Sequence, residues 1–329
     1  VHVIETATGK TLEVIHAALY AKADNGNTPN SICLSADGKV LLVANADNNN
    51  VAMIDVTDRG HSRSLGFIPV GWYPTCVRLT ADGKRLLVAN GKGIISESNR
   101  NGPRPGFNPE APTPDYIGGL FDGTVAFIDL PQGDKSASQQ ASWTERAFAC
   151  RPPAAADVFT REELEGHPIP LAPGTRSPIT HVIYIVKENR TYDQVLSDLP
   201  GGNGDTSLLL FGKNVTPNLH AIASEFVLLD NFYVDGEVSA DGHNWSLGAY
   251  ATDYLEKAWP TSYGGRGGTY DAEGNREVAN NKNGFIWDAC RRKGVSYRTY
   301  GEFADDYKPN LPVLEGHYCT YYTSWDQHV

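Results

Sequence analysis

The sequence predicts two architectures in succession: a partial β-propeller over residues 1–150, then an α/β domain with a largely parallel sheet flanked by helices over residues 180–329. Three observations carry this. The stretches "PNSICLSADGKVLLVAN" (29–45) and "PTCVRLTADGKRLLVAN" (74–90) repeat at an offset of 45, and a period near 45 with about four strands per unit signals propeller blades. From residue 180 onward, strand-like and helix-like stretches alternate, as they do where helical crossovers join parallel strands. Between them, residues 151–179 are Pro-rich with no sustained period and read as a linker.

Each repeat reads as strand, turn, strand. Asp37-Gly38 and Asp82-Gly83 supply the positive φ that a hairpin turn requires. A further strand closes each unit, "NVAMIDV" (50–56) in the first and "TVAFIDL" (124–130) in the second, where an insertion at 91–122 intervenes. The opening "VHVIETATGKTLEVI" has the form of the same closing strand followed by a turn. The insertion is rich in Gly, Pro and Asn, and loops of that length inside compact domains usually serve function or lack order. Only about two and a half blades are present, whereas a ring takes at least about four. Sequence outside these 329 residues is therefore expected to complete it.

In the second part, "HVIYIV" (181–186) and "VLLDNFYV" (227–234) read as strands. "TYDQVLSDL" (191–199) reads as a short helix, and "TPNLHAIASEFV" starts one, with Thr216 as cap and Pro217 at the first helical position. "DGHNWSLGAYATDYL" (241–255) reads as a single helix. "GFIWDACRRKG" (284–294) reads as another, closed by Gly294 and leading into the strand "VSYRTYGE". The linker's charged "TREELEG" could form one helical turn.

Composition excludes several classes. Net charge is −11, with 40% apolar and 20% charged residues, which argues against a nucleic-acid-binding surface. No apolar stretch approaches the roughly 20 residues of a membrane span. Five scattered cysteines show no zinc-like spacing, and their odd number leaves one unpaired within the chain. No signal peptide is visible, but the chain opens inside a strand-like stretch, so its first residue need not be the native start.

Chemistry concentrates in "KENRTYDQ" (187–194), directly after the apolar run 181–186. Open α/β sheets bind ligands at the carboxyl ends of their strands; the alternative is an ordinary solvated loop. A second polar cluster, "GEVSADGHNWS", follows the 227–234 stretch.

Two family resemblances build on these residues. The repeated units resemble the YVTN (YncE-like) propeller family, with Leu42 and Leu87 where that family often has an aromatic. "HVIYIVKENRTYDQ" followed by "TPNLHAIASEFVLLDNFYVDGEVSADGHNWS" resembles the phosphoesterase family of the alkaline phosphatase superfamily, which includes phospholipases C and acid phosphatases. A propeller followed by such a domain matches a bacterial YncE/phosphoesterase architecture. The resemblance implies a phosphate-ester substrate, a divalent metal held by Glu188 and Asn189, and Ser239 as nucleophile at a helix start. His243 stands four residues on, to bind the phosphoryl group or to pack. It also implies a periplasmic or extracellular location. The chemistry is coherent, because a hard cation prefers such oxygens, polarises a phosphoryl oxygen, and is aided by helix N-terminal amides. Here Asp241-Gly242 replaces the family's Pro-Asn after the serine.

Other residues read as structural. Arg190 suits an ion pair; Tyr192 and Asp193 suit capping or packing of the next helix, with Asp193 able to support the ligands. Ser246 and Thr252 are rival hydroxyls expected inside a helix. "DLPGGNGD" (198–205) lacks EF-hand spacing and reads as a turn-rich loop. His220 reads as a packed or surface histidine, and Asp305, Asp306 and His317 as a surface loop too early for the family's last ligands. Further segments are expected to complete the metal site. Of three Asn-x-Ser/Thr sequons, at Asn189, Asn214 and Asn244, two lie in the proposed site. The rival class is a propeller-based binding or scaffold protein with a catalytically incomplete hydrolase domain; a quinone-dependent redox propeller finds no cofactor feature.

Overall fold

A computed structural model describes residues 1–20, 27–95, 97–98, 100, 117–150, 168–169, 176–234, 236–264, 266–304 and 308–319. Strands β1 (His2–Ile4) and β2 (Thr11–Val14) pair antiparallel. A four-stranded antiparallel sheet follows: β3 (Pro29–Leu34), β4 (Val40–Asn45), β5 (Asn50–Asp55) and β6 (Arg63–Pro69), in that order. A three-stranded sheet repeats the scheme with β7 (Trp72–Leu79), β8 (Arg85–Gly93) and β9 (Thr124–Asp129).

The repeated residues explain themselves in these hairpins. Between β3 and β4 the Ser35 hydroxyl donates to Asp37 Oδ1 at 2.6 Å and accepts the Val40 N–H at 2.9 Å. Between β7 and β8 Thr80 does the same with Asp82 (2.6 Å) and Arg85 N–H (3.1 Å). Gly38 and Gly83 take the positive φ, 71° and 67°, that the Asp-Gly pairs predict. The last residue of "LLVAN" joins its strand to the next. Buried Asn45 Nδ2 donates to Asn50 Oδ1 at 3.0 Å and to Ala17 O at 2.7 Å, and Asn90 Nδ2 donates to Thr124 Oγ1 at 3.2 Å. The insertion thus takes the place of the tight Ala46–Asn49 connection, leaving β8 and β9 paired Asn90 to Thr124. Most of it, 96, 99 and 101–116, lies outside the described residues.

Alternation buries both faces of the first sheet. Leu42, Ala44, Val51, Met53 and Ile68 pack on Val77, Leu86 and Val88 of the second sheet. Leu41, Val43, Ala52, Ile54 and Phe67 pack on Ile15, Ala17, Leu19 and Ala147. Ala147 belongs to α1 (Lys135–Ala149), a helix with no counterpart in the sequence reading. It covers β6, where the Phe67 N–H donates to Thr144 Oγ1 at 2.9 Å and Phe67 meets Phe148 edge-on. The expectation for residues 1–150 is met as successive antiparallel sheets; within the described residues they close no ring.

The second part departs further. Helices α2 (Tyr192–Leu196), α3 (Pro217–Glu225) and α6 (Ile286–Lys293) form where their start and stop signals stand, α6 ending on Gly294 at φ 66°. Thr216 precedes α3 without capping it; its hydroxyl donates to Phe211 O at 2.9 Å. The single helix expected over 241–255 is two, α4 (Ser239–Gly248) and α5 (Asp253–Ser262). Ala249 ends α4 in the left-handed region at φ 61°, and Thr252 caps α5 by accepting the Leu255 N–H. The largely parallel sheet is not formed among the described residues: 181–186 and 227–234 join no ladder, and most of their apolar side chains are exposed, Ile183 by 88% and Phe232 by 76%, with Val186 and Leu228 partly buried. A strand exists through its neighbours' hydrogen bonds, and the parallel pairing described is the two-residue contact of β10 (Thr299–Tyr300) with β11 (Tyr318–Cys319). Burial in this part is carried by two clusters. One is Val238, Ala240, Leu255 and Trp259 with Ala272 and Ala279; the other joins Leu247 to Phe285, Trp287, Phe303 and Leu314. Among the described residues no helix is long and apolar enough to cross a membrane. "TREELEG" and Asp305-Asp306 lie outside the described residues.

Candidate functional site

Helix α4 organises the chemistry. Val238, extended at φ −129° and ψ 162°, delivers the chain into the helix, and Ser239 is its first residue. The Ala240 N–H, in the first turn, donates to Tyr263 Oη at 3.2 Å. Residues four apart share a helix face, so half-buried Ser239 and His243 look the same way, while Ala240, Asp241, Asn244 and Leu247 turn into the core.

His243 sits among three carboxylates. Its Nδ1 lies 3.0 Å from Glu302 Oε1, and its Nε2 lies 3.6 Å from both Glu188 Oε2 and Glu273 Oε1. The hydrogen bond to Glu302, helped by the charges of all three and opposed by burial, pushes its pKa up to about 9. The ring is therefore an imidazolium at neutral pH: its Nδ1–H donates to Glu302, while its Nε2–H faces Glu188 and Glu273 at 3.6 Å, beyond hydrogen-bond distance. Two of these partners were absent from the sequence reading. Glu273 and Glu302 stand in stretches without a motif and reach His243 only through tertiary folding. Glu273 (φ 54°) and Phe303 (φ 53°), the neighbour of Glu302, hold left-handed backbone that costs about 1–3 kcal/mol each and clusters at functional sites.

The structure thus brings Glu188 to the helix that carries Ser239 and His243. Glu188 is half-exposed and Asn189 exposed beside it. Three carboxylates converging on one imidazolium make a spot that selects positive charge, and Glu188, Asn189 and their neighbours offer the hard oxygen donors a divalent metal prefers. The donor chemistry fits such an ion.

A second acidic group lies on the inner side of α4. One oxygen each of Glu237, Asp241 and Glu256 lies within 4.8 Å of the others. Lys92 at the end of β8 is ion-paired with Glu237 and stands over the Tyr73 ring, 4.3 Å from its centre. Burial first, then neighbouring carboxylates, pushes Asp241 up to about 7 and Glu256 up to about 8; burial also raises Asp47 and Tyr73. The available signal was Glu256 itself, a charged residue at a buried helical position between Leu255 and Trp259.

The remaining candidates have structural duties. Arg190 stands over the Phe211 ring, 5.2 Å from its centre. Asp193 Oδ1 accepts the Asp205 N–H at 2.8 Å, pinning the 198–205 loop. His220 is buried, with Nε2 2.7 Å from Asp198 Oδ1 and Nδ1 2.8 Å from Thr216 O. Ser246 lies inside α4 as expected but is exposed, and Thr252, expected inside a helix, is the partly exposed cap of α5. His317 is exposed, its ring against Tyr297. Cys33, Cys76, Cys150 and Cys290 form no disulfide.

No family model matches the chain, and no curated protein matches it. Among solved structures it is similar to Kuenenia stuttgartiensis hydrazine synthase (25% identity, 22% of this chain and 20% of that one, TM-score 0.19). It is also similar to a protein of unknown function from Desulfotomaculum acetoxidans (17% identity, 22% and 24%, TM-score 0.19). A third is a candidate 6-phosphogluconolactonase from Bacteroides uniformis (21% identity, 39% and 36%, TM-score 0.23). The chain spans between a fifth and about a third of these structures. Likenesses this small carry no argument about what it does.

Proposed function

We propose that the protein is a metal-dependent phosphoric ester hydrolase whose N-terminal sheets are blades of a YVTN-type β-propeller. The supporting observation is the convergence of two separate motifs: Glu188 of "KENRTYDQ" lies 3.6 Å from His243 on the helix that Ser239 begins. Glu188 and Asn189 would hold the metal, which supplies charge to polarise the phosphoryl group and favour the serine alkoxide. Ser239 Oγ attacks phosphorus in line and displaces the alcohol, giving a phosphoserine that water cleaves. The His243 imidazolium, on the same face, donates a hydrogen bond to a phosphoryl oxygen. The substrate class is a phosphate ester, and an exported location, periplasmic or extracellular, follows from the same resemblance.

The test is turnover of bis-p-nitrophenyl phosphate and p-nitrophenyl phosphate by chelated and metal-restored protein. Rapid acid quench should trap phosphate on a peptide spanning 235–250. Ser239→Ala should keep fold and metal content and lose about three orders of magnitude or more in rate, since nucleophile and activating groups act as a unit. Label on another peptide, or near-normal turnover of Ser239→Ala, overturns the assignment. A folded, metal-loaded protein without any turnover favours the scaffold reading.

A further inference from the structure

We propose that Glu237, Asp241 and Glu256 form a buried site for a divalent cation of the calcium class, separate from Glu188 and Asn189. The three residues come from different places: Glu237 from the turn before α4, Asp241 from its first turn, Glu256 from α5. Their oxygens converge within 4.8 Å. Acidic groups gather on many surfaces without binding anything, but this group is not on the surface. Asp241 is fully buried, at 0% exposure, and neither of its carboxylate oxygens has a hydrogen-bond partner. A buried carboxylate without a partner is costly enough that native proteins pair it or coordinate it to a metal. Glu237 repeats the pattern: one oxygen is held by Lys92 and the other, Oε2, has no partner.

The donor set points to the ion. Oxygens within 4.8 Å of one another can share one calcium at about 2.4 Å, and three protein carboxylates suit calcium better than magnesium, which keeps several waters and takes one or two carboxylates. The all-carboxylate set has no imidazole or thiolate, which argues against zinc. Lys92 supplies one positive charge against Glu237, Asp241, Glu256 and nearby Asp47, so a dication improves the balance instead of overturning it. Such an ion would pin the start of α4, and with it Ser239, to α5 and to the end of β8.

The experiment uses the full 329-residue chain stripped with EGTA. Calcium chloride is titrated in, with bound calcium read by equilibrium dialysis and unfolding by thermal melt. The expected result is one calcium bound below about 1 mM with a rise in the unfolding midpoint. Asp241→Asn and Glu256→Gln should each weaken binding by about tenfold or more, because each removes one ligand charge. Glu188→Gln should leave it unchanged. Absence of bound calcium at about 1 mM in the unaltered protein overturns the proposal, and so does wild-type affinity in both Asp241→Asn and Glu256→Gln. Loss of this binding in Glu188→Gln would also overturn it, by moving the ion to the other site. Dialysis on Glu188→Gln, in which the other proposed metal site is impaired, decides even if Asp241→Asn or Glu256→Gln fails to fold.

Discussion

Lys92→Met is the most informative single change. The methionine keeps most of the apolar stem over Tyr73 and removes the ammonium that Glu237 holds. Breaking a fully buried ion pair by removing one partner costs about 3–5 kcal/mol, because it strands the other charge. Lys92 and Glu237 keep 19% and 16% of their side-chain surface exposed, so partial solvation of the stranded carboxylate brings the expectation to about 2–3 kcal/mol. The control is Arg85→Met. Arg85 and Asp129 are 2.6 Å apart, a good geometry, but 49% and 77% exposed, and an exposed pair contributes about 0–1 kcal/mol. Burial rather than distance therefore orders the two variants. Urea unfolding in EGTA, with the slope checked for constancy, gives both values. If Lys92→Met costs no more than Arg85→Met, Glu237 is better solvated than the packing implies. The account of the inner face of α4 then fails with it.

Three further outcomes are expected. Glu188→Gln keeps the side chain's shape and removes a full charge from beside His243, so metal content and turnover should fall together; elemental analysis showing unchanged metal removes Glu188 from the site. Thr80→Ala deletes the hydroxyl that both donates to Asp82 and accepts from Arg85, costing about 1 kcal/mol in urea unfolding while Thr80→Ser costs less. The His220–Asp198 pair should carry a pH signature. Asp198 is held low chiefly by its hydrogen bond to His220, and His220 is raised chiefly by the same bond. Its stabilisation is therefore complete between about pH 4 and 6.5, lost toward acid as Asp198 protonates and lost toward base as His220 deprotonates through its raised value. Stability of His220→Asn compared with the unaltered protein across pH 3–9 should show that window; a constant difference refutes it.

What the sequence disclosed follows a physical line. The hairpins were legible because their chemistry is local: Ser35 and Thr80 close their own loops, and the Asp-Gly pairs provide the needed φ within five residues. The starts of α3 and α6 were legible for the same reason. Features decided by distant partners were not. Helix α1, "KSASQQASWTERAFA", is too polar to announce a core face and is held by what β6 offers it, an N–H from Phe67 and an aromatic edge. At the break the left-handed position is held by Ala249 rather than by the adjacent Gly248, so the usual glycine stop signal is out of place by one residue, and Thr252 then starts α5 by capping it. The runs 181–186 and 227–234 have the composition of buried strands, yet composition specifies only an appetite for burial, and a ladder also needs a neighbour in register.

The same distinction orders the candidate site. Its spacing along α4 was readable: Ser239 and His243 stand one turn apart on one face, and Asp241 between them must turn the other way. The electrostatic environment was not readable, since Glu188, Glu273 and Glu302 on one side and Glu237, Glu256 and Lys92 on the other arrive from six separate stretches. Close packing at the helix start makes the two sides interdependent. A Cβ on Gly236 would stand 2.5 Å from Asp241 Cβ and 3.2 Å from the Gly242 nitrogen, nearer than packed atoms tolerate. The turn carrying Glu237 can thus approach α4 only because residue 236 has no side chain. Any displacement of Asp241 on the inner face must rotate or shift the helix that presents Ser239 and His243 on the outer one. A buried charge cluster behind the proposed nucleophile would therefore act on it through position, and only where the helix between them is held as tightly as this one.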